Sequence, residues 1–379
     1  MRVSIDASSL SYPKRTGIGR MLECLLPRMV DQAGNTIRFI LVSGQPLHHP
    51  VAVSLVQSEA VDAITASFPS LFVWQQLAMH RQVRQAQASV HMCVDGLRPL
   101  FLPCDSLGFA NDLLWHRHPD TLAWHVRTVY RLRQRSSLKQ HKAVLAISRF
   151  TQREYRDHFG ADADHVEAAA LPGVDMTQFH PLQEDDEQQR CRFLEQTGLQ
   201  PGYFVCLGNV MPHKNLACAV SAWEILAERV DTPPQLAVIG LGGRTLAGFS
   251  TEDLSRRGIV SLGYLSDEDV RLALRSSAGL VFPSRYEGFG LPILEAMASG
   301  VPVAASTAPA LLEAAGNACL SFSPDSPDEL ARAVCRLMTD TTLRSTLIQA
   351  GLKRAVERSW DRGAAELLNT LHRLASPGS

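Results

Sequence analysis

Residues 281–303 constrain the fold of this chain more than any other segment. An apolar run that predicts a buried strand leads into a loop that contains Gly288 and Gly290. Pro292 suits the start of a helix, because the N–H that proline lacks has no helical partner there. We expect the helix to run for about two turns and to stop near Gly300. A strand, a glycine loop and a helix N-terminus in this order form an anion site, since free backbone N–H groups and the positive end of the helix dipole face one point.

Two carboxylates flank this predicted anion site. Glu287 lies in the glycine loop, and Glu295 is expected in the first turn of the helix. Carboxylates accept hydrogen bonds from hydroxyl groups, so the pair fits a polyhydroxylated ligand that also carries a negative group. A sugar nucleotide has sugar and ribose hydroxyls and a diphosphate. For Glu295 alone, an interaction with the helix dipole is the simpler explanation.

Composition restricts the class of protein. The chain has 379 residues, which is enough for two domains, with 45% hydrophobic and 20% charged residues. A net charge of −1 argues against nucleic acid as a partner. The eight cysteines are scattered without metal-binding spacing, which predicts reduced thiols in a cytoplasmic protein. Asp6 interrupts the apolar N-terminal segment, so we expect a strand there and not a signal peptide.

Strand and helix patterns alternate in two series, which predicts an α/β protein with two doubly wound parallel sheets. The acidic stretch 183–189 reads as a linker, and it places the boundary near residue 182. The predicted parts are therefore residues 1–182, 183–358 and a last helix in 359–379. The glycine motifs, which include a loop at 240–243, all fall at predicted strand ends, where such sheets bind ligands. The active site is expected in the cleft between the two domains.

The string Arg-Tyr-Glu-Gly-Phe-Gly-Leu-Pro-Ile-Leu-Glu-Ala-Met-Ala, residues 285–298, resembles the acid–seven–acid signature of a known family. The family is the retaining glycosyltransferases of the GT-B fold, family 4, also called glycosyl transferases group 1. The resemblance extends over nearly the whole chain and is tightest over residues 204–320. It implies two Rossmann-like domains that face each other across a cleft, with a C-terminal helix that crosses back to the N-terminal domain.

The resemblance also implies roles for individual residues. Glu287 and the amides of Gly288 to Leu291 would hold the donor sugar, and Glu295 would hold the ribose. Lys214 would neutralise the donor diphosphate, so Lys214 and Glu287 are the expected catalytic residues. The full expected donor-binding set is Gly17, Gly19, Asn209, His213, Lys214, Tyr264, Glu287, Gly288, Phe289, Gly290, Leu291 and Glu295.

Two positions depart from the family pattern. Asn111 stands where relatives usually have a histidine near the transferred sugar, and Asn209 stands where many have an arginine. Asparagine can hydrogen-bond a hydroxyl but cannot take a proton at neutral pH. Asn111 and Asp112 are therefore candidates for the acceptor side without an acid–base role, and a turn or a helix cap explains the pair equally well.

A basic stripe of Arg127, Arg131, Arg135 and Lys139 recurs every four residues, so on a helix it forms one face. Such a face can lie on anionic lipid, although a solvated helix face is the commoner explanation. The hypothesis is peripheral attachment to the inner membrane face. Asp162 and Asp164 match a metal-type Asp-x-Asp spacing, but they lie away from the glycine loops and are interpreted as a turn, so no metal or cofactor is expected.

The sequence thus predicts a retaining, metal-independent transferase that moves a sugar from a nucleotide to a saccharide or polyprenyl-diphosphate-linked glycan acceptor in surface polysaccharide or lipopolysaccharide synthesis. The motifs look like those of bacterial mannosyl- and rhamnosyltransferases, and GDP-mannose is the expected donor. The alternatives are a rhamnosyl- or glucosyltransferase that uses dTDP- or UDP-sugar, a phosphorylase of the same fold, and a non-catalytic relative that binds nucleotide sugars.

Overall fold

The computed structural model describes residues 1–11, 16–169, 171–241 and 249–375. It divides the chain into two compact units. Unit 1 contains Met1–Pro172 and Trp360–Ser379, and unit 2 contains Gly173–Ser359. The glycine loop predicted at 240–243 lies partly outside the described residues, because only its first two positions are among them.

Unit 1 is built on a parallel sheet that has seven strands in the described residues. The strands are β1 (Arg2–Asp6), β2 (Arg38–Ser43), β3 (Val61–Thr65), β4 (Val90–Cys93), β5 (Asp105–Ala110), β6 (Ala143–Ala146) and β7 (Val166–Ala168). Their order across the sheet is β3-β2-β1-β4-β5-β6-β7. The central strands are apolar and almost wholly buried, as expected for a parallel sheet covered by helices on both faces.

The helices of unit 1 connect these strands and cover the sheet. They are α1 (Gly17–Ala33), α2 (Pro50–Leu55), α3 (Leu71–Val73), α4 (Met79–Gln85), α5 (Leu114–Arg117), α6 (Trp124–Gln140), α7 (Arg149–Phe159) and, from the end of the chain, α16 (Trp360–Ala375). A π-helical turn, Trp74–Ala78, joins α3 to α4. The α16 helix packs along α1, and the Arg28 guanidinium lies 3.4 Å from the Asp361 carboxylate.

Unit 2 repeats the architecture with a parallel sheet that has six strands in the described residues. The strands are β8 (Phe204–Leu207), β9 (Leu236–Ile239), β10 (Ile259–Gly263), β11 (Gly279–Phe282), β12 (Val303–Ser306) and β13 (Cys319–Phe322). The order β10-β9-β8-β11-β12-β13 places the first strand of the unit beside the fourth. This is the Rossmann order, in which the chain reverses direction across the sheet between these two strands.

The helices of unit 2 cover both faces of its sheet. They are α8 (Glu187–Thr197), α9 (Leu216–Arg229), α10 (Thr251–Arg256), α11 (Asp267–Arg275), α12 (Leu291–Ala298), α13 (Pro309–Ala315), α14 (Pro327–Thr339) and α15 (Thr341–Glu357). One large apolar cluster joins α9, α14 and the sheet, with Trp223 completely buried at its centre. The predicted α/β class with two doubly wound parallel sheets is confirmed.

The division between the units falls before Gly173, whereas the sequence placed it near residue 182. The intervening segment packs on unit 2: Val174 N donates to Arg358 O at 2.8 Å, and Pro181 lies against Gly300. The acidic stretch that looked like a linker is the start of unit 2, where Asp186 pairs with Arg275 at 2.7 Å.

Candidate active site

The loops that follow β8 and β11 stand side by side in unit 2, because the two strands are neighbours in the sheet. The strands are parallel, so both loops emerge at the same carboxyl edge. They lie on either side of the point where the strand order reverses, which is where open α/β sheets bind their ligands. Most residues of the expected donor-binding set are in these two loops.

Lys214 and Glu287 meet across this point. Lys214 Nζ donates to Glu287 Oε1 at 2.7 Å, with 21% and 15% of the two side chains exposed. The Lys214 ammonium also lies 6.0 Å from the centroid of the Phe282 ring, within cation–π range. The resemblance assigned Lys214 to the donor diphosphate, and in the structure the Glu287 carboxylate is its anionic partner.

Hydrogen bonds to backbone carbonyls tie the loop that carries Lys214 to the loop that carries Glu287. Asn215 adopts a left-handed conformation, with φ at 56°, and its Nδ2 donates to Pro283 O at 3.0 Å and Pro324 O at 2.8 Å. Arg285 N donates to His213 O at 2.7 Å. These bonds hold the 3₁₀ turn Pro212–Lys214 against the β11 loop. Sequence reasoning missed Asn215, although asparagine is one of the few residues besides glycine that adopt a left-handed conformation.

The other predicted residues of the β8 loop have structural contacts of their own. His213 is buried at 5% exposure. Asn209 is half-buried, and its Oδ1 accepts a hydrogen bond from Met211 N at 3.1 Å, which closes a turn within the loop. An arginine at position 209 would add a positive charge but has no oxygen to accept this hydrogen bond, so the asparagine stabilises the turn.

The β11 loop ends at the N-terminus of α12. Gly290 has φ at 111°, and a Cβ there would lie 2.7 Å from Leu311 Cδ2, so the position requires glycine. Phe289 is buried at 3% exposure, while Gly288 and Leu291 are half-buried. The predicted two-turn helix is present as α12. Glu295 lies in its second turn and not in the first, because the helix begins at Leu291.

Tyr264 follows β10 at the edge of the sheet, two strands away from β8. Its side chain is 60% exposed. The preceding Gly263 accepts a hydrogen bond at its carbonyl from Gly240 N at 2.7 Å, which joins the ends of β9 and β10. The residue is at the same carboxyl edge as the two central loops but outside the crevice between them.

Gly17 and Gly19 begin α1 in unit 1. Thr16 caps this helix, since Gly19 N donates to Thr16 Oγ1 at 3.0 Å. Gly19 is buried, and a Cβ there would lie 3.2 Å from Ser9 O. Gly17 is exposed and has no heavy atom within 4 Å of an added Cβ. Close packing explains Gly19, and only Gly17 leaves open space for a ligand.

Asn111 and Asp112 follow β5 in unit 1. Asn111 Nδ2 donates to Val94 O at 2.8 Å, which ties the end of β5 to the end of β4. Asp112 Oδ1 accepts from Leu114 N at 2.9 Å at the start of the short α5 helix. The contacts match the turn and cap interpretation of this pair, and its role toward an acceptor stays a prediction.

An acid pair at the carboxyl edge of the unit 1 sheet was missed by sequence reasoning. Gln75 Nε2 donates to Asp6 Oδ2 at 2.9 Å and to Asp95 Oδ2 at 2.5 Å. Burial raises the pKa of Asp95 to about 7, with the nearby Asp6 carboxylate acting in the same direction. Burial also raises the pKa of Asp6. The available signal was a polar residue at the end of an otherwise buried first strand.

The Asp-x-Asp motif has no ligand-like arrangement. Asp162 lies in a 3₁₀ turn, Gly160–Ala163, and its carboxylate pairs with Arg135 at 3.1 Å and Lys139 at 3.0 Å. Among the residues that the structure describes, no group of three His, Cys, Asp or Glu side chains is placed to hold a metal ion.

Comparisons with known proteins find one family model and several relatives that this chain resembles. Residues 201–340 match the family described as Glycosyl transferases group 1. The chain is 30% identical to the O-antigen chain mannosyltransferase B of Escherichia coli over 62% of this chain and 61% of that protein. It is 31% identical to a D-inositol 3-phosphate glycosyltransferase of Salinispora arenicola over 56% and 50% of the two chains. The matches thus span less than two thirds of the length of these curated relatives.

Solved structures match the whole chain in fold. Anabaena Alr3699/HepE in complex with UDP and glucose superimposes with a TM-score of 0.72 at 17% identity, covering 98% of this chain and 99% of that chain. WaaG, a glycosyltransferase involved in lipopolysaccharide biosynthesis, superimposes with a TM-score of 0.67 at 14% identity over 100% of both chains.

Proposed function

We propose that this protein is a glycosyltransferase that moves a hexose from a nucleoside diphosphate sugar to an acceptor hydroxyl, because residues 201–340 match the glycosyl transferases group 1 family and the chain has the GT-B fold. The observation that carries the proposal is the contact between Lys214 and Glu287 at the strand-order reversal of unit 2. The pair lies within the residues that match the family, which supports its assignment to the site.

The chemistry requires that negative charge developing on the departing diphosphate be stabilised. The ammonium of Lys214 and the backbone N–H groups at the N-terminus of α12 supply positive charge at this place without a metal ion. Lys214 has three N–H donors and gives one to Glu287, so two remain for phosphate oxygens. Glu287 is then proposed to orient the sugar by accepting from its hydroxyls, in a retaining reaction in which the donor's own phosphate takes the acceptor proton.

GDP-mannose is the donor that we propose. The similarity to O-antigen chain mannosyltransferase B and to the Escherichia coli mannosyltransferase WbdA supports mannose. The structural likeness to a protein solved with UDP and glucose supports the alternative, a glucosyl- or rhamnosyltransferase that uses a UDP- or dTDP-sugar. A thermal-shift series of nucleoside diphosphates and nucleotide sugars decides between them. Stabilisation by GDP and GDP-mannose alone supports the first, and stabilisation by UDP or dTDP compounds instead overturns it.

The acceptor is proposed to be a saccharide, free or linked to a polyprenyl diphosphate, in the synthesis of a surface polysaccharide or lipopolysaccharide. A phosphorylase of the same fold would release a sugar phosphate when inorganic phosphate replaces the acceptor. A non-catalytic relative would bind donor without turnover across an acceptor panel, an alternative that Asn111 and Asn209 raised. Product analysis with each acceptor in turn separates the three functions.

Attachment to an anionic membrane surface is proposed for the α6 helix. Arg131, Arg135 and Lys139 are exposed and Arg127 is half-exposed on one face, and Trp124 at the start of the helix is 73% exposed. No helix of the described residues is both long enough and apolar enough to span a membrane. Co-sedimentation with anionic liposomes should be lost when the four basic residues are changed to Glu, and unchanged binding of that variant would refute the attachment.

A further inference from the structure

A groove of about 740 Å³ lies between α5, α6 and the end of α7 in unit 1. Its lining combines three arginines, two histidines and an apolar floor. The lining residues are Trp115, His116, Pro119, Arg127, Arg131, Leu132, Arg135, His158 and Phe159. We call this surface the phosphate groove. It does not include the loops of the candidate active site.

The floor of the phosphate groove is built into the core. Trp115 is 9% exposed, and its Nε1 donates to Gln134 Oε1. Gln134 Nε2 in turn donates to Tyr155 Oη at 2.6 Å. Trp115, Tyr155 and Phe159 belong to one buried cluster, so the floor has a fixed shape and does not depend on mobile surface side chains.

Nearby carboxylates balance only part of the charge of the phosphate groove. None of its nine lining residues in the described part of the chain is acidic. Asp162 pairs with Arg135 and with Lys139 just outside the groove. The guanidinium groups of Arg127 and Arg131 have no hydrogen bond or ion pair to any residue that the structure describes, while Arg127 N donates to Ala123 O at 3.1 Å within the helix. Like charges four positions apart on a helix repel, and a bound anion would relieve this repulsion.

The imidazole rings add donors at one side of the groove. The centroids of His116 and His158 are 4.1 Å apart, and His158 stands edge-on to Trp115 at 5.5 Å. Burial lowers the pKa of His158, with His116, Arg135 and Arg117 acting in the same direction and the nearby Glu154 carboxylate acting against them. An anion in the groove would interact favourably with all of these groups.

The geometry points to a diphosphate ester of a lipid as the ligand: we propose that the phosphate groove binds the diphosphate of a prenyl-diphosphate-linked acceptor. Guanidinium groups bind phosphate oxygens in a bidentate manner, and successive arginines on one helix face are about 6 Å apart along the axis, a spacing that suits two linked phosphates. Leu132, at 72% exposure, and the apolar floor offer contacts for the prenyl chain. The inference rests on the proposed function, since it names the carrier of the acceptor.

Calorimetric titration of the full chain with farnesyl diphosphate tests the inference. We expect saturable binding, competition by inorganic pyrophosphate, and no binding of farnesol, which has the same chain without phosphate. The double variant Arg127→Gln with Arg131→Gln should bind at least about tenfold more weakly. It should fold normally, because the described structure gives neither guanidinium a partner. The matched control is Arg81→Gln with Arg84→Gln, two exposed arginines of α4, which should bind like the wild type.

A second variant separates this inference from the proposed function. Lys214→Gln should lose nucleoside diphosphate binding and keep farnesyl diphosphate binding, while the Arg127/Arg131 variant should show the reverse. Equal farnesyl diphosphate binding by the wild type and the Arg127/Arg131 variant overturns the inference. It is also overturned if the groove arginines increase binding only to phosphatidylglycerol vesicles and not to farnesyl diphosphate, because the surface then recognises bilayer charge alone.

Discussion

Lys214 and Glu287 are 73 positions apart in the sequence, and sequence reasoning treated them as separate ligands of a donor. The structure places them in direct contact, in partial burial, where an ion pair is screened less than at the surface. Neither charge can therefore be removed without leaving the other in a partly desolvated place. Catalytic and structural effects of substitution must be measured separately at this pair.

The first prediction concerns both members of this pair. Lys214→Gln and Glu287→Gln should each lower kcat by at least about 100-fold, because each removes a group that faces the developing charge or the sugar. Glutamine is similar in size to the lysine and the glutamate that it replaces, so thermal unfolding should show that both variants are folded. Near-normal turnover in either variant would show that the assignment is wrong. Arg285→Gln, an exposed change in the same loop, is the control.

A second prediction follows from the pKa of Asp95. Burial raises the pKa of the Asp95 carboxyl from its ordinary 3.8 to about 7, so this carboxyl binds a proton more tightly in the folded state. Its contribution to stability is therefore present below pH 4 and is lost as the pH rises to about 7. Burial is the main cause that lowers the pKa of His91 to about 3. His91 therefore makes the free energy of unfolding increase with pH between pH 3 and 6.5, opposite to the effect of Asp95.

Urea unfolding of the wild type and of Asp95→Asn at several pH values separates the two slopes. The histidine contribution is common to both proteins, so the difference between them reports Asp95 together with the neighbouring Asp6 carboxyl that acts on it. We expect the variant to gain stability relative to the wild type as the pH rises from 4 to 7. A difference that stays constant over this range would show that Asp95 titrates normally in the folded protein.

At the scale of the element, sequence patterns predicted the strands and helices where periodicity was strong. The α12 helix, its glycine loop and the strand before it are present as expected. Residues 44–100 have weak sequence patterns apart from an amphipathic stretch at 71–83, and the structure places β3, β4 and a π-helical turn there. The two strands are only four or five residues long, and only the first position of the edge strand β3 is buried. Short strands carry too little periodicity to identify, and a π turn has no sequence pattern of its own.

In the candidate site, too, local features could be predicted from the sequence and long-range contacts could not. The loop residues could be identified because glycines, a proline and charged residues mark them locally. The Asn215 bonds to Pro283 and Pro324, and the Gln75 bridge between Asp6 and Asp95, join segments far apart in the chain. Such contacts depend on strand order, which local patterns do not determine.

The third prediction tests the start of α12. Gly290→Ala should destabilise unit 2 by about 1 kcal/mol or more, because alanine at a φ of 111° is strained and its Cβ would contact Leu311. Gly17→Ala is the matched control. Gly17 has ordinary φ and open space, so alanine there should leave stability unchanged or raise it slightly. Equal unfolding midpoints for the two variants in urea would contradict the requirement for glycine at position 290.

At the scale of the whole molecule, two parallel sheets with the same internal strand order stand in one chain. Each places charged or polar side chains at the carboxyl ends of its central strands: Asp6 and Asp95 in unit 1, Lys214 and Glu287 in unit 2. The C-terminal helix α16 returns to unit 1 and packs on α1, so the chain passes between the units twice. Truncation before Trp360 would therefore remove part of unit 1 and not of unit 2.

The fourth prediction concerns metal ions. If Lys214 and helix N-termini stabilise the diphosphate, sugar transfer should continue in excess EDTA at close to the untreated rate. The assay compares initial rates before and after chelation and after addition of Mg²⁺ or Mn²⁺. Loss of activity that is restored by either cation would mean that a metal carries the charge that we assign to Lys214.

The contact between Lys214 and Glu287 has a consequence for donor binding. The two charges compensate each other at this point, so an incoming diphosphate meets a paired ammonium instead of a lone cation. Donor affinity should then respond less to ionic strength than it would at a site of lone cations. One oxygen of Glu287 accepts from Lys214 and the carboxylate has a second oxygen for a sugar hydroxyl, so this pair can hold the diphosphate and the sugar of one donor together.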